Sequence, residues 1–216
     1  MADIFDEVSE ELKQDRLIQI WKKYSKYIIS FLFITIISIF SYQLFIYWDK
    51  KKLEANSQQF FNAIDKLENK RYEESSRIFL KSSNEDNEGY RVLSLFGLAE
   101  TNYKNGNINE MILNYKNIYE DTNVDLYYRD LSRLLSVMKD NVSTFDQQIN
   151  ILKPILNSPS KLQLLAAELE VMLHIKFENI NEALVKLNNL LIRPDISLEQ
   201  KSRLELIHKI YKTNAK

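Results

Sequence analysis

Two histidines, His174 and His208, are the only ones in the 216-residue chain, and cysteine is absent. The histidines stand 34 residues apart on two different expected helices. Zinc sites draw several His or Cys ligands at close spacing, so no metal site is expected. Without thiols there is no disulfide, iron–sulfur cluster or thiol nucleophile. Neither a Gly-x-Ser-x-Gly elbow nor a Gly-x-x-x-x-Gly-Lys phosphate cradle occurs. The abundant carboxylates fall on helices, where they normally form solvated faces. No catalytic residue, cofactor site or small-molecule substrate is therefore expected, and the chain is read as something other than an enzyme. Asn141-Val142-Ser143 is a glycosylation sequon, which matters only in a eukaryotic secretory lumen.

The side chains suited to binding are of a different kind. In the helix expected over 88–105, setting Leu95 and Leu98 toward the neighbouring hairpin leaves Phe96, Glu100 and Tyr103 on the groove side. Aromatics placed there supply contact area with little rotamer loss. The other reading has Phe96 and Tyr103 filling the interface to the next hairpin. Tyr127, Tyr128 and Arg129 form a second candidate patch for a protein partner.

The elements that position these groups follow from composition and period. Lys plus Arg total 29 against 30 Asp plus Glu, a net charge of −1, so no bulk field draws the molecule toward nucleic acid. Glycine and proline occur three times each, where average usage would give roughly fifteen and eleven. Hairpin-joined sheets and dinucleotide folds need more glycine, so the fold class is all-α. The length suits one sizeable domain plus something smaller.

Residues 28–46 are nineteen consecutive positions without a charge, thirteen of them Ile, Leu or Phe. As a helix they reach ~28 Å, close to the ~30 Å hydrocarbon core. Trp21, Tyr24 and Tyr27 before the stretch, with Tyr47 and Trp48 after it, form an interfacial belt. A cleaved signal peptide has a shorter apolar core followed by small residues, whereas Tyr47-Trp48-Asp49-Lys50 follows here. An uncleaved anchor over 27–48 is expected. Within twenty residues, five Lys or Arg lie on its N side and four on its C side, which favours a cytoplasmic N-terminus by a slim margin. Ser30, Thr35, Ser38, Ser41 and Tyr42 share one face of this helix. Either they pack against another transmembrane helix or each hydroxyl bonds back to its own helix. Residues 1–26 read as a short amphipathic segment through Ile4, Phe5, Val8, Leu12, Leu17, Ile18 and Trp21, with lipid and a protein partner equally open.

Beyond Trp48 the apolar spacing is helical throughout. Capping pairs recur at Asn107 with Glu110, Thr144 with Gln147, Ser160 with Gln163, Asn179 with Glu182, and Ser197 with Gln200. With stops at Gly106, Pro159 and Pro194-Asp195, they predict nine helices at 53–69, 71–83, 88–105, 108–121, 124–140, 143–157, 160–178, 180–192 and 197–213. The first apolar residues after alternate turns are Tyr72, Ile108, Phe145 and Ile180, at intervals of 36, 37 and 35, and Asn-Ile-Asn-Glu occurs at 107–110 and again at 179–182. A helical hairpin repeated every ~34 to 36 residues is the signature of a tetratricopeptide-type array. The domain over 49–216 is thus expected to be a hairpin solenoid of about four repeats plus a C-terminal helix.

The second helices carry a resemblance. Tyr72-x-x-Ser75-x-x-x-Phe79-x-x-Ser82, Ile108-x-x-Met111-x-x-x-Tyr115-x-x-Ile118 and Ile180-x-x-Ala183-x-x-x-Leu187-x-x-Leu190 resemble the second half of the tetratricopeptide consensus. The whole-chain order resembles a bacterial family as well. Asp3-Ile4-Phe5-Asp6-Glu7-Val8 leads through Arg16-Leu17 and Trp21-Lys22-Lys23-Tyr24 into one span and then degenerate repeats, and so looks like the YfgM-like ancillary subunit of the SecYEG translocon in its alphaproteobacterial form. That resemblance implies an inner-membrane anchor, a cytoplasmic N-terminus and a periplasmic repeat domain. It also implies a translocon partner together with periplasmic chaperones or secreted clients. Two other readings stand beside it: a structural scaffold in cell-envelope assembly or division, and, ranked last, a cytosolic receptor in the reverse orientation.

Overall fold

A computed structural model describes residues 2–84 and 88–214. Among them the chain forms nine helices and no strand: α1 (Ala2–Glu68), α2 (Tyr72–Ser82), α3 (Glu88–Lys104), α4 (Ile108–Glu120), α5 (Leu126–Lys139), α6 (Phe145–Leu156), α7 (Gln163–Lys176), α8 (Ile180–Leu191) and α9 (Leu198–Asn214). The helix expected over 53–69 is not a separate element but the last part of α1. The reason is compositional: the first glycine of the chain is Gly89 and the first proline Pro154, so no helix breaker occurs within α1. The chain divides into two compact units, Met1–Ala55 and Asn56–Lys216.

The first unit carries a stretch of α1 that is long and apolar enough, by length and composition, to cross a membrane, and none of that window is buried. Phe31 and Phe45 are 73% and 71% exposed, unlike the core helix of a water-soluble protein. Thr35 Oγ1 donates to the Phe31 carbonyl at 2.9 Å, so this hydroxyl bonds back to its own helix. The side-chain surroundings expected for Ile4, Phe5, Val8, Leu12 and Leu17 lie outside the described residues.

In the second unit three hairpins close on the same turn. After α1, α3 and α7, Lys70, Gly106 and Glu178 take φ of 59°, 81° and 61°. The next amide reaches back five positions, Arg71 N to Lys66 O, Asn107 N to Asn102 O and Asn179 N to His174 O, each at 2.8 Å. This is the Schellman closure, which satisfies carbonyls that the helix end leaves orphaned. The turns stand one and then two 36-residue periods apart. They also correct two expected caps, because Asn107 and Asn179 make no side-chain cap bond. Held at φ −83°, with ψ of 67° and 55°, neither has the extended backbone from which an N-cap side chain reaches the next turn.

The third hairpin differs. Asp140 Oδ1 accepts the N–H groups of Val142 and Ser143, both at 2.9 Å, and Thr144 with Gln147 then forms a full capping box. Ser197 and Gln200 exchange the same reciprocal bonds ahead of α9. Ser160 and Gln163 do not form the expected side-chain cap: the Gln163 N–H donates to the Ser160 carbonyl at 3.1 Å, and α7 begins only at Gln163. The Ser160 hydroxyl instead donates to the buried Asp130 carboxylate at 2.5 Å, and the Gln163 side-chain amide reaches back to the Leu156 carbonyl at 2.9 Å.

The left-handed turns make a prediction. A side chain at positive φ costs of order 1 kcal/mol, which glycine avoids. Lys70→Gly and Glu178→Gly should each stabilise the domain by about 0.5–1 kcal/mol, and Gly106→Ala should destabilise it by about 1 kcal/mol. Urea unfolding of the full chain in micelles, followed by circular dichroism, reads all three. Lower midpoints in both glycine variants would mean that the native side chains stabilise these turns by more than the strain costs.

The second helices of the hairpins bury one recurrent spacing: Ser75, Phe79 and Ser82 on α2, Met111, Tyr115 and Ile118 on α4, Gln148, Leu152 and Ile155 on α6, and Ala183, Leu187 and Leu190 on α8. Each set belongs to a core that the next hairpin helps to close. Phe79 packs with Ala63, Leu67 and Leu98, Tyr115 with Val92, Ala99 and Val124, Leu152 with Leu134 and Ala166, and Leu187 with Val171 and Leu204. Burial of one large apolar side chain contributes roughly 1.5–3 kcal/mol, and in a solenoid that contribution is shared between neighbours. A polar contact also ties the two helices of the second hairpin. Arg91 on α3 pairs with Asp121 at the end of α4 at 2.9 Å. The Asn123 backbone N–H, followed by the Arg91 guanidinium, holds the Asp121 carboxyl below the usual carboxylate range.

A candidate interaction groove

The first helices of the hairpins do not spend all their apolar residues on the core. On α5 the buried positions include Asp130, Ser132 and Ser136, while Met138 is 65% exposed. On α7, Ala166, Val171 and Leu173 are buried, while Leu165 and Met172 are nearly half exposed. These exposed side chains meet leucines that pack against the core. Leu131, Leu134, Leu135 and Met138 of α5 and Leu165, Leu169 and Met172 of α7 line a groove of about 370 Å³, with Glu168 and Arg203 at its edge. That lies at the small end of the ~300–1,000 Å³ typical of ligand sites.

The edge is electrically closed. Arg203 on α9 makes a forked pair with Glu168, Nε to Oε1 at 2.6 Å and the terminal nitrogen to Oε2 at 2.7 Å. Next to Met138, Lys139 bonds Glu100 and lies 4.4 Å above the Tyr103 ring. Farther along α3 and α5, Gly89, Val92, Leu93, Asp125 and Tyr128 line a smaller hollow of about 230 Å³.

The residues singled out in the sequence fall into three groups. Phe96 is half-buried, with its ring 6.0 Å from Tyr115 and 6.5 Å from Tyr128, packed against the core that holds Met111 and Ile118. Tyr127 and Tyr128 are exposed and stack edge to face at 5.7 Å, so Phe96, Tyr128 and Tyr127 make one aromatic chain. Glu100 and Tyr103 are joined through Lys139 and open to solvent at the Tyr103 ring. Arg129 belongs to neither cluster. It turns to the end of α4, where its Nε and the Arg133 guanidinium both donate to the Tyr119 carbonyl at 3.3 Å. Burial, and after it the Glu100 carboxylate, pushes the Tyr115 phenol far above its ordinary value, so that group stays neutral at working pH. On α1, Thr35, Ser38 and Tyr42 line a furrow with Gln43, Ile46 and Lys50, and Ser30 and Ser41 fall outside it.

The groove residues Leu131, Leu135, Met138, Leu165 and Met172 were not singled out in the sequence. The available signal was an apolar count on α5 and α7 larger than one buried stripe can use, with serines and an aspartate at the inward positions.

Helical hairpins stacked at a 36-residue period, with a side-chain groove and no convergent catalytic groups among the described residues, define a repeat scaffold. The family model of the tetratricopeptide repeat-like domain matches residues 19–157, and the chain belongs to that family. No curated protein and no solved structure matches the chain. The matched region takes in the apolar stretch and ends with α6, yet the α7–α8 hairpin beyond it repeats the same turn and the same buried spacing. Domains of this kind usually mediate protein–protein interaction.

Proposed function

We propose that the chain is a membrane-anchored interaction module that serves as an ancillary subunit of the SecYEG translocon, linking it to periplasmic chaperones or emerging clients. In this reading residues 1–26 form a cytoplasmic segment, 27–48 cross the bacterial inner membrane, and 49–216 carry the repeat domain into the periplasm. The observation that carries the interaction role is the apolar groove of α5 and α7, where Met138, Leu165 and Met172 stay exposed beside leucines that pack against the core. Support for the location comes from the lysine and arginine balance about the span and from the whole-chain resemblance to YfgM-like proteins. Anchoring raises the local concentration of the groove near a membrane-bound partner, so modest affinity suffices. The furrow of Thr35, Ser38 and Tyr42 is the face of the span assigned to a neighbouring transmembrane helix.

In-cell photo-crosslinking from Glu54, just beyond the apolar stretch, and from Met138, in the groove, tests this reading. Capture of translocon channel subunits or periplasmic chaperones is the expected result. Capture of envelope-assembly enzymes alone would replace it with a structural scaffold, and capture of cytosolic proteins alone would reverse the orientation.

A further inference from the structure

We infer that the α5–α7 groove takes an amphipathic α-helix of a partner protein, uncharged along its apolar face and seated over about two helical turns. This rests on the interaction-module reading and adds the form and chemistry of what binds.

Three observations carry it. The first is spacing. The lining residues of α5 fall at 131, 134, 135 and 138, and those of α7 at 165, 168, 169 and 172, so both walls follow the same i, i+3, i+4, i+7 pattern. Helix α6 and two short turns separate the walls, so the chain reverses twice and α5 and α7 run in the same direction. Two parallel stripes, each ~10.5 Å long, accept the ridge of a third helix whose side chains carry the same spacing.

The second observation is backbone chemistry. Both walls are helices, whose interior peptide groups are satisfied internally, and their side chains here are Leu and Met apart from Glu168, whose carboxylate is held by Arg203. An extended segment laid between them would bury its own N–H and C=O groups against carbon and sulfur, at a cost of roughly 1–3 kcal/mol for each unpaired group. A helix brings its backbone already paired.

The third observation is charge. The ionic groups that line the groove, Glu168 and Arg203, are bonded to each other. A terminal carboxylate or an acidic tail would have to share the Arg203 guanidinium with the Glu168 carboxylate and meet its like charge. The complementary surface is therefore neutral, and the two methionines adapt to the exact side chains it offers.

The test uses the full chain in nanodiscs of neutral lipid, with three fluorescein-labelled 18-residue peptides read by anisotropy. One peptide, built of Leu, Ala, Gln and Ser, places its leucines at helical spacing; a second has the same composition in strict alternation; a third is polar and ends in acidic residues. The helical peptide should bind best. Its affinity should change less than twofold between 0.05 and 0.5 M NaCl, because no ion pair forms on binding. Met138→Glu and Met172→Glu, both at exposed positions, should each weaken it at least tenfold, while Met138→Gln, which adds no charge, should weaken it less. A preference for either other peptide, a steep salt dependence, or binding unchanged in both glutamate variants would overturn the inference. Partner capture from Met138 in cells together with no peptide binding would sink the helix inference and leave the interaction module standing.

Discussion

Phe79→Ala should cost the repeat domain about 3–5 kcal/mol, the range measured for deleting a fully buried aromatic side chain. The Phe79 side chain is 0% exposed, meets Phe60 edge to face at 5.6 Å, and fills the space among Ala63, Leu67 and Leu98. It owes that position to Gly97. A Cβ added at Gly97 would stand 2.5 Å from Cε1 and Cζ of the Phe79 ring, and the buried ring has little room to retreat. Gly97→Ala therefore sets an overpacking cost of roughly 1–3 kcal/mol against a gain of about 1 kcal/mol in helix propensity. The net expectation is a loss of up to about 2 kcal/mol. In a Phe79→Leu background the contact goes, and Gly97→Ala should turn neutral or stabilising. Urea midpoints for the four proteins of this cycle give the coupling, and simple additivity would disprove the ring-on-glycine account.

Gln148→Leu should cost about 2–4 kcal/mol although it keeps the volume and adds apolar surface. Gln148 occupies the position that holds Ser75, Met111 and Ala183 in the other hairpins, and it is 0% exposed. Its amide donates to the Asp140 carbonyl at 3.3 Å and to the Ser143 carbonyl at 3.1 Å, and its oxygen lies 3.5 Å from Lys176 Nζ. Lys176 also donates to the Asp140 carbonyl at 2.7 Å. The third hairpin lacks the left-handed Schellman turn of the others, and this amide network fastens its turn instead. Leucine would leave the Ser143 carbonyl without that donor and Lys176 without one acceptor, each loss worth about 1–2 kcal/mol. Hydrogen exchange locates the effect: protection should fall first at the amides of residues 140–144. A uniform fall across all hairpins would instead mean that Gln148 acts only through global packing.

The family match and the repeat geometry agree on an interaction scaffold. The groove shows where such a scaffold has surface to spare. Side chains that complete a hairpin core, such as Phe96, are poor sites for probing binding without disturbing the fold. Met138 and Met172 are better ones, because their exposure separates the two effects.

Much of the architecture was legible in one dimension. The scarcity of glycine and proline excluded sheets, the charge-free run marked the apolar stretch, and the spacing Ser75-Phe79-Ser82 with its counterparts located the buried face of the second helices. These features are local, since a helix sets its own period and a buried stripe repeats with it. Tertiary structure alone decided the rest. It joined the stretch expected over 53–69 to the helix before it, made Schellman turns of two expected asparagine caps, and gave the Ser160 hydroxyl to Asp130. It also decided which apolar side chains of α5 and α7 remain uncovered. A single helix shows which of its faces are apolar, but the distance to its neighbours determines which face is buried. On α5 the buried positions hold Ser132 and Ser136 beside Leu134 and Val137, and Met138 is left exposed at the groove.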